Sequence, residues 1–561
     1  MMKPPAKILL ITNSELGQAN VFLTTCEAIL QLDPDAEIHL ASFARLADTV
    51  AAVNSKLHRP LHFHRIAAMS MLQGLEKVIA DRSTACHRNS VPLSFSEPLT
   101  FANSLRAIRD TVPILVPYDG PLLVEVVSSI IDIIKRVDAD LLVIDSLMTA
   151  ALTACRYLAI DFVCLSPNSI KDFALWHQPV SLRLQHPALF SGYRFPVRWH
   201  QMPLNIFYKL VAAVLYFRDR YRREAAAHLA SSLGATLTTT IDLYFTQGHL
   251  VKPITFVGTL PELDFPAVVP SHLVPCGPII RNAPLVRDAD PHLHAWLARG
   301  PTLYVNLGSQ CRISEPQARE LALAIKSVMD VLPRLQVLWK LKREGDYGVS
   351  EPGDGIHDVL NEELKADRVR VVVDWLSVEP SSILGSEHVV CSMHHGGANS
   401  FFEAVVAGVP HVVLPQWTDT YDYAERVEFL GIGRLGNGST KPRWTAPEVA
   451  TALVDVLSGE SSTDIKAKAK ALAKLCQDRG NGAANAARAI LAECRDRIQV
   501  KEKLDVQYEV NRALHGMHQS SRNNTSDECA RITLALGLQP LAGWWTETPC
   551  AGCYPTSLYR R

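Results

Sequence analysis

Short runs of nearly continuous apolar residues, each followed by a helical pattern, recur along this chain and constrain its fold more than any other feature. "KILLI" (7–11) opens the series, and "EIHLASF", "LHFHRI", "DLLVID" and "FVCLS" carry it to Ser166. A strand that is apolar on both faces must be covered on both faces, the condition of a parallel sheet held between two layers of helix. Gly17–Asn20 reads as a turn, Val21–Leu30 as the first helix and "ALTACRYLA" as a later one. The pattern pauses over Val274–Pro301, a stretch rich in Pro and polar residues that reads as a linker. It then restarts with "TLYVNLGS", a helix over Pro316–Val328, "QVLWKL", "RVRVVVDW", "HVVCSMH", a helix over Ala398–Ala407 and "HVVLP". The expected fold class is α/β, with two doubly wound parallel-sheet domains over 1–279 and 280–478. A helical segment, 479–515, is expected to pack back on the first domain. The remainder, 516–561, has no coherent periodicity and is expected to be poorly ordered. A chain of 561 residues is too long for one core, which agrees with two domains.

Charge and cysteine usage exclude several partner classes. The chain carries 56 basic and 57 acidic residues, a formal net charge of −1, so neither nucleic acid nor acidic lipid is expected. Its twelve Cys are scattered except for Cys550 and Cys553, and no second pair completes a zinc site. Buried reduced thiols in a reducing, cytoplasmic setting are expected, where sequons at Asn523 and Asn524 carry no meaning. The N-terminus lacks the pattern of a signal peptide, and no apolar run reaches membrane-span length. The longest apolar candidate, Leu210–Phe217 just before "RDRYRR", reads as a solvated helix end, with peripheral membrane contact as the alternative.

The chemistry concentrates in "HHGGANSFFEAVVAGVPHVVLPQWTDTYDYA", which begins at His394. Ligands of doubly wound sheets bind beyond the carboxyl ends of the strands, so a cleft between two facing domains is the expected site. Gly396 and Gly397 permit a tight turn and the close approach of another group. Asn399 and Ser400 lie at a helix start, where free N–H groups and the helix dipole attract an anion such as a diphosphate. His395 can donate to the same anion. A purely local reading also exists: Ser400 to Glu403 is a formal capping box, and Gly408-Val409-Pro410 an ordinary helix stop. Further on, Trp417, Asp419 and Thr420 follow a strand's end, where a carboxylate and hydroxyls suit a polyol. Trp375 ends its strand with an indole that suits a planar base, or plain core packing. Base, diphosphate, ribose and sugar together make a nucleotide sugar.

With those residues in hand, Trp375–Thr420 resembles the donor box of UDP-dependent glycosyltransferases of the two-Rossmann-domain (GT-B) type. The matching elements are Trp375, His395-x-Gly397-x-Asn399-Ser400, Glu403, Gly408-Val409-Pro410, Pro415 and Asp419. A weaker resemblance covers most of the chain to about residue 515 and is similar to fungal members acting on small lipophilic metabolites. The resemblance implies that Trp375 stacks on uracil and Glu403 holds the ribose hydroxyls. It implies that His395, Asn399, Ser400 and Ser309 bind the diphosphate, with Asp419, Thr420 and Trp417 at the sugar. No metal and no cofactor are expected, the UDP-sugar being a co-substrate.

Three departures stand out. "WLSVEPSSIL" lacks the Gln usual near the start of the box, and Thr420 stands where Gln commonly follows the sugar-binding Asp. The N-terminal loop has Gly17-Gln18 where the family has Gly-His, and Gln cannot take a proton from the acceptor. Asp145 aligns with the carboxylate that normally orients that His, although an Asp at a strand end is also a common helix cap. The expectation is therefore an inverting transferase that moves a sugar, glucose foremost, to a hydroxyl of a small hydrophobic acceptor. Catalysis runs through Asp145 with Gln18 positioning, and His62 or His64 is the fallback base. The alternatives are a catalytically silent UDP-sugar-binding partner, a sterol or polyprenol transferase at a membrane surface, and, behind both, a nucleotide-sugar epimerase.

Overall fold

The computed structural model describes residues 5–82, 92–245, 253–349, 351–373 and 375–520. Cys86, Asn523, Asn524, Cys529, Cys550 and Cys553, and the expectation for the tail beyond Ser520, lie outside the described residues. The chain divides into one compact unit, Met1–Arg497, and a second, Ile498–Arg561, whose described part is helical.

Two parallel sheets organise the first unit. One holds β1 (Lys7–Ile11), β2 (Glu37–Phe43), β3 (His62–Ile66), β4 (Leu141–Asp145), β5 (Phe162–Ser166), β6 (Thr255–Val257) and β7 (Leu273–Pro275), in the order β3-β2-β1-β4-β5-β6-β7. The other holds β8 (Thr302–Asn306), β9 (Gln336–Lys340), β10 (Val369–Val372), β11 (Val389–His394), β12 (His411–Val413) and β13 (Gly433–Leu435), in the order β10-β9-β8-β11-β12-β13. Every pairing within them is parallel. β4 and β8 are buried along their whole length, and β1 from Ile8 onward, as continuous apolar strands require. The fold is the two-Rossmann-like-domain α/β fold.

The strand order reverses between β1 and β4 in the first sheet and between β8 and β11 in the second. The loops leaving such a pair turn to opposite faces and open a crevice. The two crevices meet: Asn399, after β11, donates from its side-chain amide to the Leu16 carbonyl, after β1, at 3.5 Å. A buried ion pair, Arg426 Nε to Asp264 Oδ1 at 2.9 Å, and the Lys171–Asp422 pair also join the two halves.

Several local expectations change. Gly17–Asn20 is the first turn of a helix, Leu16–Leu32, rather than a turn before it. The supposed linker takes in the end of β7 and a helix, Pro291–Leu297, whose Trp296 is buried and donates to the Asp367 carbonyl at 2.7 Å. Pro at that helix's first turn costs no hydrogen bond, so its Pro content misled. One segment, Phe101–Val137, is apolar and long enough by composition to cross a membrane. Within it, the Gly120–Val137 helix buries Leu123, Val126, Val127 and Ile130 in the first domain's core, which accounts for its apolarity. The Gly482–Ser520 helix is anchored near its start, where Asn485 donates to the Cys276 carbonyl at 2.9 Å and Arg495 pairs with Asp33 at 3.1 Å.

Candidate active site

The second sheet's crevice is built around His395. β11 ends at His394, whose ring is buried and bonded to its neighbours. Gly396 N–H donates to His394 Nδ1 at 3.0 Å, so the ring's proton sits on Nε2 and faces His411 Nδ1 at 2.9 Å. His394 thus fixes the turn and leaves His395 to the crevice. The His395 ring lies between two glycines: a Cβ on Gly308 would come within 2.5 Å of it, and one on Gly397 within 2.6 Å. Gly396, at φ +86, faces the Thr420 carbonyl. The close approach inferred for the glycine pair is therefore that of protein groups, which seat the histidine. Burial lowers the His395 pKa to about 4, so at neutral pH it is an uncharged ring, and its Nδ1 is buried without a partner.

The Ala398–Ala407 helix starts one residue past Gly397, which caps it with no side-chain bond. Ser400 lies inside the helix, so the capping-box reading fails. The first N–H groups of the helix are left for an anion. Gly408, in the left-handed region at φ +68, ends it as the sequence indicated. Ser309 follows β8 beside this point, and its carbonyl accepts from Lys342 Nζ.

Glu403 is half-buried, one turn along the helix, and burial with nearby Glu379 raises its carboxyl to about 8. Trp375 is 70% exposed, with Lys340 Nζ 4.0 Å from its ring centroid. It is not core. Val378 is buried in the stretch where the Gln of the box is missing. Lys340 and Lys342 escaped the sequence reading. The alternation at the end of "QVLWKLKR", which sets Lys340 at the strand's last position and Lys342 just beyond it on the same side, was the available signal.

The segment after β12 corrects one assignment. Thr420 is 1% exposed, and its hydroxyl accepts from the N–H groups of Gln416 at 3.0 Å and Trp417 at 2.9 Å and donates to the Trp417 carbonyl. It locks the start of the Thr418–Leu430 helix and has no polar atom left for a sugar. Asp419 is open to solvent, yet surrounding protein raises its carboxyl to about 6, and it accepts from Thr418 Oγ1 at 2.9 Å. Thr418 sits at φ +30, which is rare for a β-branched residue and the kind of strain found at functional sites. Trp417 lies 5.6 Å from the His395 ring, centroid to centroid.

The first sheet's crevice holds the other predicted residues. Asp145, at the end of β4, is fully buried. Its Oδ2 accepts from Thr12 Oγ1 at 3.1 Å and from the backbone and side-chain nitrogens of Asn13 at 3.4 Å. Its Oδ1 accepts from the Leu147 N–H at 3.0 Å. Burial raises its pKa to about 6. Asn13 also donates to Gln18 Oε1 at 3.1 Å. Asp145 therefore reaches Gln18 only through Asn13, and its oxygens are closed to a substrate. The same loop supplies Glu15, which the sequence reading missed. One oxygen accepts from the Leu72 N–H at 3.2 Å, the other is buried without a partner, and burial raises its pKa.

His62 and His64 are not placed as a base. His64 bonds His39 at 2.8 Å and His39 bonds Glu37 at 2.7 Å, along a sheet face rather than at the strand ends.

A cavity of about 610 Å³ lies against the site, with Thr418 and Tyr421 in one wall and Trp176, Val180, Leu210 and Phe217 in the other. A second, of about 630 Å³, is lined by Pro278, Gly408, Lys470 and Gly482 and holds none of the predicted site residues.

The family model for UDP-glucuronosyl and UDP-glucosyl transferases matches residues 124–482. The chain belongs to this family. It is 31% identical over 442 residues to glycosyltransferase sdnJ of Sordaria araneosa, covering 77% of this chain and 83% of that protein. It is 32% identical over 188 residues to UDP-glycosyltransferase 84B1 of Arabidopsis thaliana, where the match spans 32% of this chain and 38% of the plant protein. Among solved structures it is similar in fold to a UDP-glucosyltransferase from Polygonum tinctorium, with a TM-score of 0.57 at 16% identity over 89% of this chain and 99% of that one. UGT2 of Phytolacca americana, solved with UDP-2-fluoro-glucose and pterostilbene, gives a TM-score of 0.54 at 17% identity over 88% and 99%.

Proposed function

We propose that this UDP-glycosyltransferase moves a hexose, glucose foremost, from a UDP-sugar to a hydroxyl of a small lipophilic acceptor with inversion and without a metal. The observation that carries this reading is the meeting of the two crevices at Asn399 and Leu16, which sets an anion-binding helix start beside the Asn13–Gln18 pair. The unpaired N–H groups and the neutral His395 donor supply stabilisation for a departing diphosphate. Glu403 takes the ribose hydroxyls, Trp375 the uracil, and Asp419 with Thr418 the sugar. The apolar cavity walled by Thr418 and Tyr421 takes the acceptor.

The sealed Asp145 revises the expected route of the proton. In this reading Asp145 is a positioning residue that orients Asn13, and Asn13 orients Gln18 against the acceptor hydroxyl. The acceptor oxygen then bonds the sugar carbon as the bond to the diphosphate breaks, and its proton passes late to an oxygen of the departing diphosphate, so acidic hydroxyls are the better substrates. The eight described cysteines are free and buried, which supports a reducing, cytoplasmic setting.

Gln18 in place of a base also favours a second reading, a UDP-sugar-binding protein without turnover. A screen of UDP-sugars against phenols, terpenoid alcohols and sterols, read by product mass beside calorimetric UDP binding, separates the two. Sugar transfer supports the enzyme; UDP binding with no product on any acceptor supports the silent partner.

A further inference from the structure

Large apolar side chains lie open to solvent around one helix of the first domain. On the Met202–Arg218 helix, Phe207, Leu210, Val214 and Phe217 are 43–63% exposed. Their spacing of three and four residues puts them on a single outward stripe with no charge in it. Trp199, just before the helix, is 86% exposed, and Trp176 and Val180 are 46% and 60% exposed. Phe101 joins them, 53% exposed and stacked 6.0 Å from Phe207. Contiguous exposed apolar surface of this kind marks a contact with something apolar.

The sequence beneath the patch has a second anomaly. Between Asp172 and Asp219 there is no acidic residue, while Arg183, Arg194, Arg198, Lys209 and Arg218 are basic; Arg194 pairs with Glu428 at 3.7 Å and Lys209 is part-buried, its pKa lowered to about 8 by burial, so Arg198 and Arg218 carry the open charge of the face. In a chain with 57 acids among 561 residues such a gap is unusual, and the overall balance of −1 conceals it. Arg198 and Arg218, at the two ends of the stripe, are exposed. Exposed Trp, an apolar stripe and flanking Arg are the composition of a surface that lies in the headgroup region of an anionic bilayer.

We propose that this face docks on an anionic lipid surface. The acceptor cavity opens on it: Trp176, Val180, Leu210 and Phe217 both line the cavity and belong to the exposed patch. A lipophilic acceptor dissolved in the bilayer enters the cavity without crossing water, while the UDP-sugar enters from the aqueous side. The docking rests only on the patch and its charge; the entry route rests on the cavity being the acceptor site.

The test is sedimentation of the full-length chain with vesicles of phosphatidylcholine, with and without phosphatidylserine. The variant is W199E/F207E/V214E, at three residues that do not line the cavity. The wild type is expected to sediment with phosphatidylserine vesicles, less so at high salt, and the variant to lose roughly tenfold or more in binding. UDP binding by calorimetry, unchanged in the variant, certifies its fold. Absence of wild-type sedimentation, or sedimentation of the variant equal to wild type, overturns the proposal. So does a concentration-dependent dimer that the variant abolishes while neither protein binds vesicles, because a second copy then covers the face. Transfer to a water-soluble phenol is assayed separately: its failure removes the transferase reading and leaves the docking result standing.

Discussion

Glu403 carries the clearest titration signature in the donor crevice. Its carboxyl is raised to about 8, so the empty protein holds it largely protonated at neutral pH. In the proposed role Glu403 accepts from two ribose hydroxyls, which requires the carboxylate, so UDP binding is expected to release a proton. Affinity should rise with pH up to about 8 and level off above it. Calorimetry in buffers of different ionisation enthalpy should show the release in the wild type and its loss in Glu403→Gln; a buffer-independent enthalpy contradicts the assignment. Glu403→Ala should weaken UDP binding by about 1–3 kcal/mol. Thr420→Val should lower stability by about 1–2 kcal/mol through loss of the helix-start bonds and leave the ranking of UDP-sugars unchanged. Asp419→Ala should spare UDP binding and reduce sugar-dependent affinity. At the base position, Gln18→His should raise transfer to alcohols roughly tenfold or more and affect phenols less; equal gains on both would point away from proton removal. Most of the residues proposed for the donor were legible from "HHGGAN" and "TDT". The role of Thr420 was not, because sequence cannot show that a hydroxyl already holds its own helix start.

At the scale of elements, the glycines have a sharper purpose than turn-making. Gly308 sits at φ +85 with the His395 ring where a Cβ would be. Gly308→Ala should therefore displace His395, weaken UDP binding roughly tenfold and cost about 1–3 kcal/mol of stability. Calorimetry and thermal melts check both, and unchanged UDP affinity would separate His395 from the diphosphate. The strands themselves were readable because continuous apolar runs allow little else. The helix over Pro291–Leu297 was missed because Pro in a first turn looks the same as Pro in a linker. The exposed stripe on the Met202–Arg218 helix was partly visible as Leu210–Phe217, but sequence does not say which face of an apolar helix is left uncovered.

The whole molecule depends on two sheets facing each other, and one buried pair ties them. Arg426 and Asp264 are both about 2% exposed and meet at 2.9 Å. Removing one partner leaves an unpaired buried charge, so Asp264→Ala should destabilise by about 3–5 kcal/mol and broaden or split the thermal transition as the halves uncouple. A single transition at the wild-type temperature would show that the pair does not couple the domains. No sequence pattern pairs Asp264 with Arg426, since the contact exists only once two independently readable domains are brought together. The same is true of the meeting between Leu16 and Asn399, on which the functional reading stands. The most direct test of that reading follows the sugar. The wild type, Asp145→Asn and Gln18→Ala are incubated with UDP-glucose, a phenol and a terpenoid alcohol, with and without a chelator, and products are read by mass and anomeric configuration. An inverted glycoside from the wild type, unaffected by chelation, is the expected product. Slower transfer is expected from both Asp145→Asn and Gln18→Ala, with the loss in Gln18→Ala at least as large because Asp145 acts through Gln18, and UDP binding is expected to stay intact throughout. Tight UDP binding with no glycoside from any UDP-sugar or acceptor would contradict that reading.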